Sequence, residues 1–140
     1  MLVPVGGLQD SLKWHLSDGP DFYIYRAESK ESGVGIYFGL HPNFQVDEKE
    51  KKESSHLLAT KVEWFQSKEE SRFQQWETLI PYEHSPEFMK LKLHLWVWGS
   101  DEEQIKSLVS KLESLSLEEA TNRSMVNQAV QATRASAPVA

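Results

Sequence analysis

The chain has no cysteine. Disulfide staples, thiol nucleophiles and cysteine-ligated zinc are excluded, although this alone does not fix the compartment. Long apolar runs are also missing. No stretch approaches the ~20 residues needed to span a bilayer, so no membrane span is expected. The opening MLVPVGGLQD has neither a basic leader region nor a long apolar one, so it does not read as a signal peptide. With a native Met at position 1, the expected location is the cytoplasm. Positive charge is in deficit, with 15 Lys and Arg against 21 Asp and Glu, a net charge of -6. Surfaces that track phosphates are usually basic, so nucleic acid is not an expected partner. The phosphate-binding, zinc-protease, nucleophile-elbow and calcium-loop motifs are all absent. Gly33 and Gly35 open a strand with no helix behind it, so they cannot present a helix N-terminus to a phosphate. No cofactor is expected.

What is present specifies one unit well. Met89, Leu91, Leu93, Leu95 and Val97 alternate with Lys90, Lys92, His94, Trp96 and Trp98, the period-two pattern of a strand with two unlike faces. Gly99 breaks the strand. Ser100 and Glu103 have capping-box spacing, and Asp101, Glu102 and Glu103 suit the positive end of a helix. Ile105, Leu108, Val109, Leu112 and Leu115 then form one apolar stripe, expected to pack on the Met89–Val97 face.

At 140 residues the chain makes one domain able to bury roughly 68% of its unfolded surface. Residues 1–11 read as an irregular arm, 12–116 as a single α+β domain, and 117–140 as a weakly helical or flexible segment. Strands are expected near Leu12–Leu16, over Phe22–Ala27, Val34–Leu40, Leu57–Gln66 and Phe73–Ile80, and in the focal strand. Asp47–Glu53, DEKEKKE, reads as a solvated loop, and Ser67–Arg72 as a polar turn. The fold class is α+β: an antiparallel sheet of about five meander-ordered strands with a C-terminal helix on one face.

The five histidines show no local metal spacing, so no metal site is expected. His41 and His84 lie in proline-containing loops that could share one end of the sheet. Paired glutamates at 102–103 and 118–119 are explained by helix starts, and those at 69–70 by a turn. No catalytic residue is assigned. Asn122-Arg123-Ser124 is a glycosylation sequon without a secretory context.

The feature that asks for an explanation is the second sheet face, with His94, Trp96, Trp98 and Tyr37 between two glycines. Trp64 and Trp76 could join either layer. Three occupants suggest themselves: the arm with Trp14 or the 117–132 segment, a second copy of the chain, or a ligand such as a sugar or flat apolar molecule. The expected function is a small non-enzymatic binding or accessory domain. It would contact a protein partner, or itself in a homodimer, through Tyr37, His41, His84, His94, Trp96 and Trp98. The alternative is a small-molecule-binding protein or enzyme with a tryptophan-lined pocket between sheet and helix, closed by the PYEHSP loop.

Overall fold

The computed structural model describes residues 2–5, 8, 12–81 and 92–119. The sequence there forms nine strands and one α-helix: β1 (Leu2–Val5), β2 (His15–Asp18), β3 (Phe22–Glu28), β4 (Ser32–Gly39), β5 (Lys51–Leu57), β6 (Thr60–Glu70), β7 (Phe73–Pro81), β8 (Lys92–Gly99), α1 (Glu102–Leu112) and β9 (Ser116–Glu119). The α+β class and antiparallel pairing are as expected. The strand count and order are not. Seven strands form one sheet in the order β2-β3-β4-β8-β7-β6-β5, and β1 pairs separately with β9. Two meanders, β2–β4 and β5–β8, are joined where β4 meets β8. The connection after β4 must therefore carry the chain from mid-sheet to the far edge.

Three local signals explain the difference. Leu57–Gln66 is not one strand: it is broken by a two-residue turn at Leu58 and Ala59, with φ of 52° and 63°. Such turns normally carry Asn or Gly, so nothing in Leu-Ala announces one. The charged run DEKEKKE is only partly a loop, because Glu48–Glu50 is a 3-10 turn and Lys51 onward is the edge strand β5. Charge suits an edge, since it discourages pairing with another sheet. Lys51 Nζ also pairs with Glu63 on β6 at 2.8 Å. Finally, β6 continues through Glu70 beyond a bulge between Gln66 and Lys68, so the turn shrinks to Ser71 and Arg72.

Cross-strand partners share a face. Val34, Ile36 and Phe38 stand opposite Val97, Leu95 and Leu93, with Tyr25 and Ala27 on one side and Trp76 and Ile80 on the other. All are buried, in one cluster with Ile105, Leu108, Val109 and Leu112 of α1 and with Leu115. Fully burying side chains of this size stabilises by about 1.5–3 kcal/mol each. The helix cap sits one residue later than the Ser100 box predicts. Asp101 is the N-cap, its side chain accepting from Gln104 N at 2.9 Å, and Gln104 Oε1 reaches back to Ser100 N and Oγ at 2.9 and 2.7 Å.

The N-terminal stretch departs from the irregular arm expected over 1–11. β1 is a strand, and β9 is a strand at the start of the segment read as weakly helical. Tyr25 Oη donates to Leu2 O, and Leu2 N donates to Tyr23 Oη, both at 3.0 Å. Trp14 meets Tyr25 edge-on at 6.5 Å. The N-terminal segment and Trp14 thus lie on the aliphatic face, not over the second one. Trp64 and Trp76 also belong to this buried cluster. The remainder of 117–140, beyond Glu119, lies outside the described residues.

Candidate functional site

The second face is built by strand alternation and by glycine. On β8, His94, Trp96 and Trp98 point away from the aliphatic cluster, and their partners on β4 are Tyr37, Gly35 and Gly33. A Cβ on Gly35 would sit 2.0 Å from Trp96 Cε2, and one on Gly33 would sit 2.6 Å from Trp98 Nε1. The two indoles therefore occupy the space a side chain would take on the neighbouring strand, the role strand glycines commonly play. Arg26, opposite Gly35 on β3, places its guanidinium carbon 5.9 Å from the Trp96 ring centroid.

His94 is the buried centre of this face, only 7% exposed. Its Nε2 lies 2.6 Å from Glu77 Oε1, a diagonal contact between β8 and β7. Glu77 is 8% exposed, and its other oxygen accepts from Gln75 Nε2 at 3.1 Å. Burial is the largest influence on this carboxyl and by itself would raise its pKa. Hydrogen bonds, first of all from His94, together with the His94 charge, outweigh burial and hold the pKa below the ordinary value of 4.5. Glu77 is thus ionised at neutral pH, and its Oε1 accepts a hydrogen bond from His94 Nε2. The other ring nitrogen, Nδ1, has no protein partner among the described residues. It accepts when the imidazole is neutral and donates when it is protonated.

The connection after β4 crosses this face. His41 N donates to Tyr37 Oη at 3.1 Å, and the Phe44 ring packs edge-on against Phe65 and His94 at 6.4 and 5.5 Å. Between this crossing and the Trp96 indole lies an open hollow of about 380 Å³, lined by Ile24, Tyr37, His41, Asn43, Lys68, Gln75, Glu77, His94 and Trp96. Glu77 and His94 are its buried groups. Ile24, Tyr37, Gln75 and Trp96 are half-buried, and His41, Asn43 and Lys68 are exposed.

Of the residues singled out from sequence, Tyr37, His41, His94 and Trp96 share this hollow. Trp98 stands apart, stacked on Phe73 at 5.8 Å with its Nε1 donating to Glu28 at 3.2 Å. His84 and the rest of the PYEHSP loop after Pro81 lie outside the described residues. The hollow is on the face away from the aliphatic cluster, not between sheet and helix as the tryptophan-pocket reading expected. Glu77, Gln75, Lys68 and Asn43 also line it and carry no local sequence signal. Only the register of β6, β7 and β8 brings the first three to His94, and no local spacing encodes register. Gln66 Nε2 and Trp76 Nε1 are buried without a hydrogen-bond partner, but they face the aliphatic cluster and take no part here. Among the described residues no three His, Asp or Glu side chains group as metal ligands, and no helix is long and apolar enough to cross a membrane.

The chain matches no protein family model, no curated protein and no solved structure.

Proposed function

We propose that this chain is a small binding domain whose working surface is the second sheet face, and that a small molecule occupies the hollow over His94. On this reading α1 packs on the aliphatic face and leaves the aromatic face for the ligand. The observation that carries the proposal is the buried His94–Glu77 pair, which lines a hollow with aromatic walls and converging polar groups. Small-molecule sites combine an apolar lining with a few placed polar groups in this way. A volume near 380 Å³ is at the small end of such sites. The test is a fragment screen by NMR on isotope-labelled protein. Hits should perturb Tyr37, Gln75, Glu77 and Trp96 together and lose affinity in His94→Gln. Perturbations confined to other faces would refute the assignment.

A second reading keeps this face but gives it a protein partner or a second copy of the chain. The half-exposed Trp98–Phe73 stack, outside the hollow, favours it, because tryptophan is enriched where interfaces bury area. Light scattering across a concentration range decides the homodimer version. A dimer that Trp98→Ala dissociates supports it, and a monomer at every concentration refutes it.

A further inference from the structure

We infer that the occupant of the hollow is a small ring-bearing organic anion, a deduction that rests on the small-molecule reading above. The argument starts from charge. The chain carries a net -6, yet the hollow shows solvent no free carboxylate among the described residues. Its one acid, Glu77, is buried, with its oxygens engaged by His94 and Gln75. The exposed lining is instead the Lys68 ammonium, the His41 imidazole and the Asn43 amide. None of the salt bridges among the described residues involves Lys68. Arg26 adds a second cation beside Trp96. A local excess of positive charge on an acidic protein draws an anion into a concave site, where low-dielectric walls focus the field.

The walls supply the second half of the argument. Ile24, Tyr37 and Trp96 are half-buried and flank the floor, so a ring has apolar and aromatic surface to lie against. His94 Nδ1 suits either form of an acid, donating to the ionised group or accepting from a protonated one. Carboxylates and phosphates share the anionic oxygens that Lys68 would hold, and the probes below separate them.

The test uses one ring with three charges: indole-3-acetate, neutral indole-3-acetamide and cationic tryptamine, with phenyl phosphate as a fourth probe. Each is titrated into the full chain by NMR and followed at the Trp96 indole N–H and the Gln75 side-chain amide. Indole-3-acetate is expected to bind at least tenfold more tightly than the amide, and tryptamine most weakly. Lys68→Ala, a change at an exposed position, should bring the acetate down to the level of the amide and leave the amide unchanged. Tighter binding by phenyl phosphate than by the acetate would assign the anion as a phosphate. Equal binding of acetate and amide, or no effect of Lys68→Ala, would overturn the anion and leave the small-molecule site standing. If no probe binds at this face in the folded wild-type protein, both proposals fall.

Discussion

Replacing Gly35 by alanine is the most direct test of how the second face is made. The added methyl would lie 2.0 and 2.1 Å from Cε2 and Cζ2 of Trp96, far inside contact distance, so the indole must leave its place. A fully buried tryptophan hides up to about 250 Å². For this half-buried ring about 100 Å² is a fair share, which at about 25 cal/mol per Å² is about 2.5 kcal/mol. Against this, alanine is favoured over glycine within a strand by about 0.5–1 kcal/mol. The expected net loss is therefore about 1.5–2 kcal/mol. In a Trp96→Ala background the clash disappears, and Gly35→Ala should stabilise by about 0.5–1 kcal/mol. The sign of the effect reverses, with a coupling of about 2.5 kcal/mol. Urea denaturation followed by far-UV circular dichroism reads all four corners of the cycle without relying on tryptophan fluorescence. Equal costs in both backgrounds would show that Gly35 is not there to hold the indole.

Other outcomes follow from the same structure. Asp101→Ala should cost about 1 kcal/mol in denaturant melts, and Ser100→Ala less than about 0.5, because Ser100 N still donates to Gln104 Oε1; the reverse order would return the cap to Ser100. Leu112→Ala, at a fully buried position, should cost about 2–5 kcal/mol by the same assay, and a loss below 0.5 would remove α1 from the core. Ala59→Gly should stabilise by about 1 kcal/mol, since Ala59 is exposed with φ of 63° and glycine meets no Cβ penalty there. The Glu77 carboxyl titrates below 4.5 when folded, so its contribution to stability is full above the ordinary carboxylate range and is lost as pH falls through the folded value. Glu77→Gln should therefore flatten the acid side of a stability–pH curve, and an unchanged slope would show that the His94 hydrogen bond does not hold the charge.

What the sequence makes legible is whatever repeats locally. Strict alternation from Leu93 to Val97 and the helical spacing of Ile105, Leu108, Val109 and Leu112 place β8 and α1 and show which side chains join the aliphatic cluster. Gly33 and Gly35 on β4 signal room for large neighbours, and Trp98 and Trp96 are those neighbours. The turn at Leu58-Ala59 escapes notice because a backbone strained by its surroundings leaves no residue-type mark. Strand order escapes for a related reason. The step from β4 to the far edge is dictated by pairing between distant segments, and short-range patterns favour the simpler meander. The site inherits both limits. His94 and Trp96 announce themselves as aromatic residues on the polar side of a strand, whereas Glu77, Gln75 and Lys68 become neighbours only through a register set across three strands.

The seam between β4 and β8 has a kinetic consequence. The hairpins β2–β3, β3–β4, β5–β6, β6–β7 and the β7–β8 pair join segments that follow one another along the chain. The β4–β8 ladder instead closes a loop that contains three entire strands, and its entropy must be lost before the contacts form. Folding should thus proceed through two independently nucleated halves whose docking along Val34–Val97 and Ile36–Leu95 limits the rate, the slow regime of proteins dominated by distant pairings. The hollow is assembled across that same seam, so it takes shape only when the two halves dock.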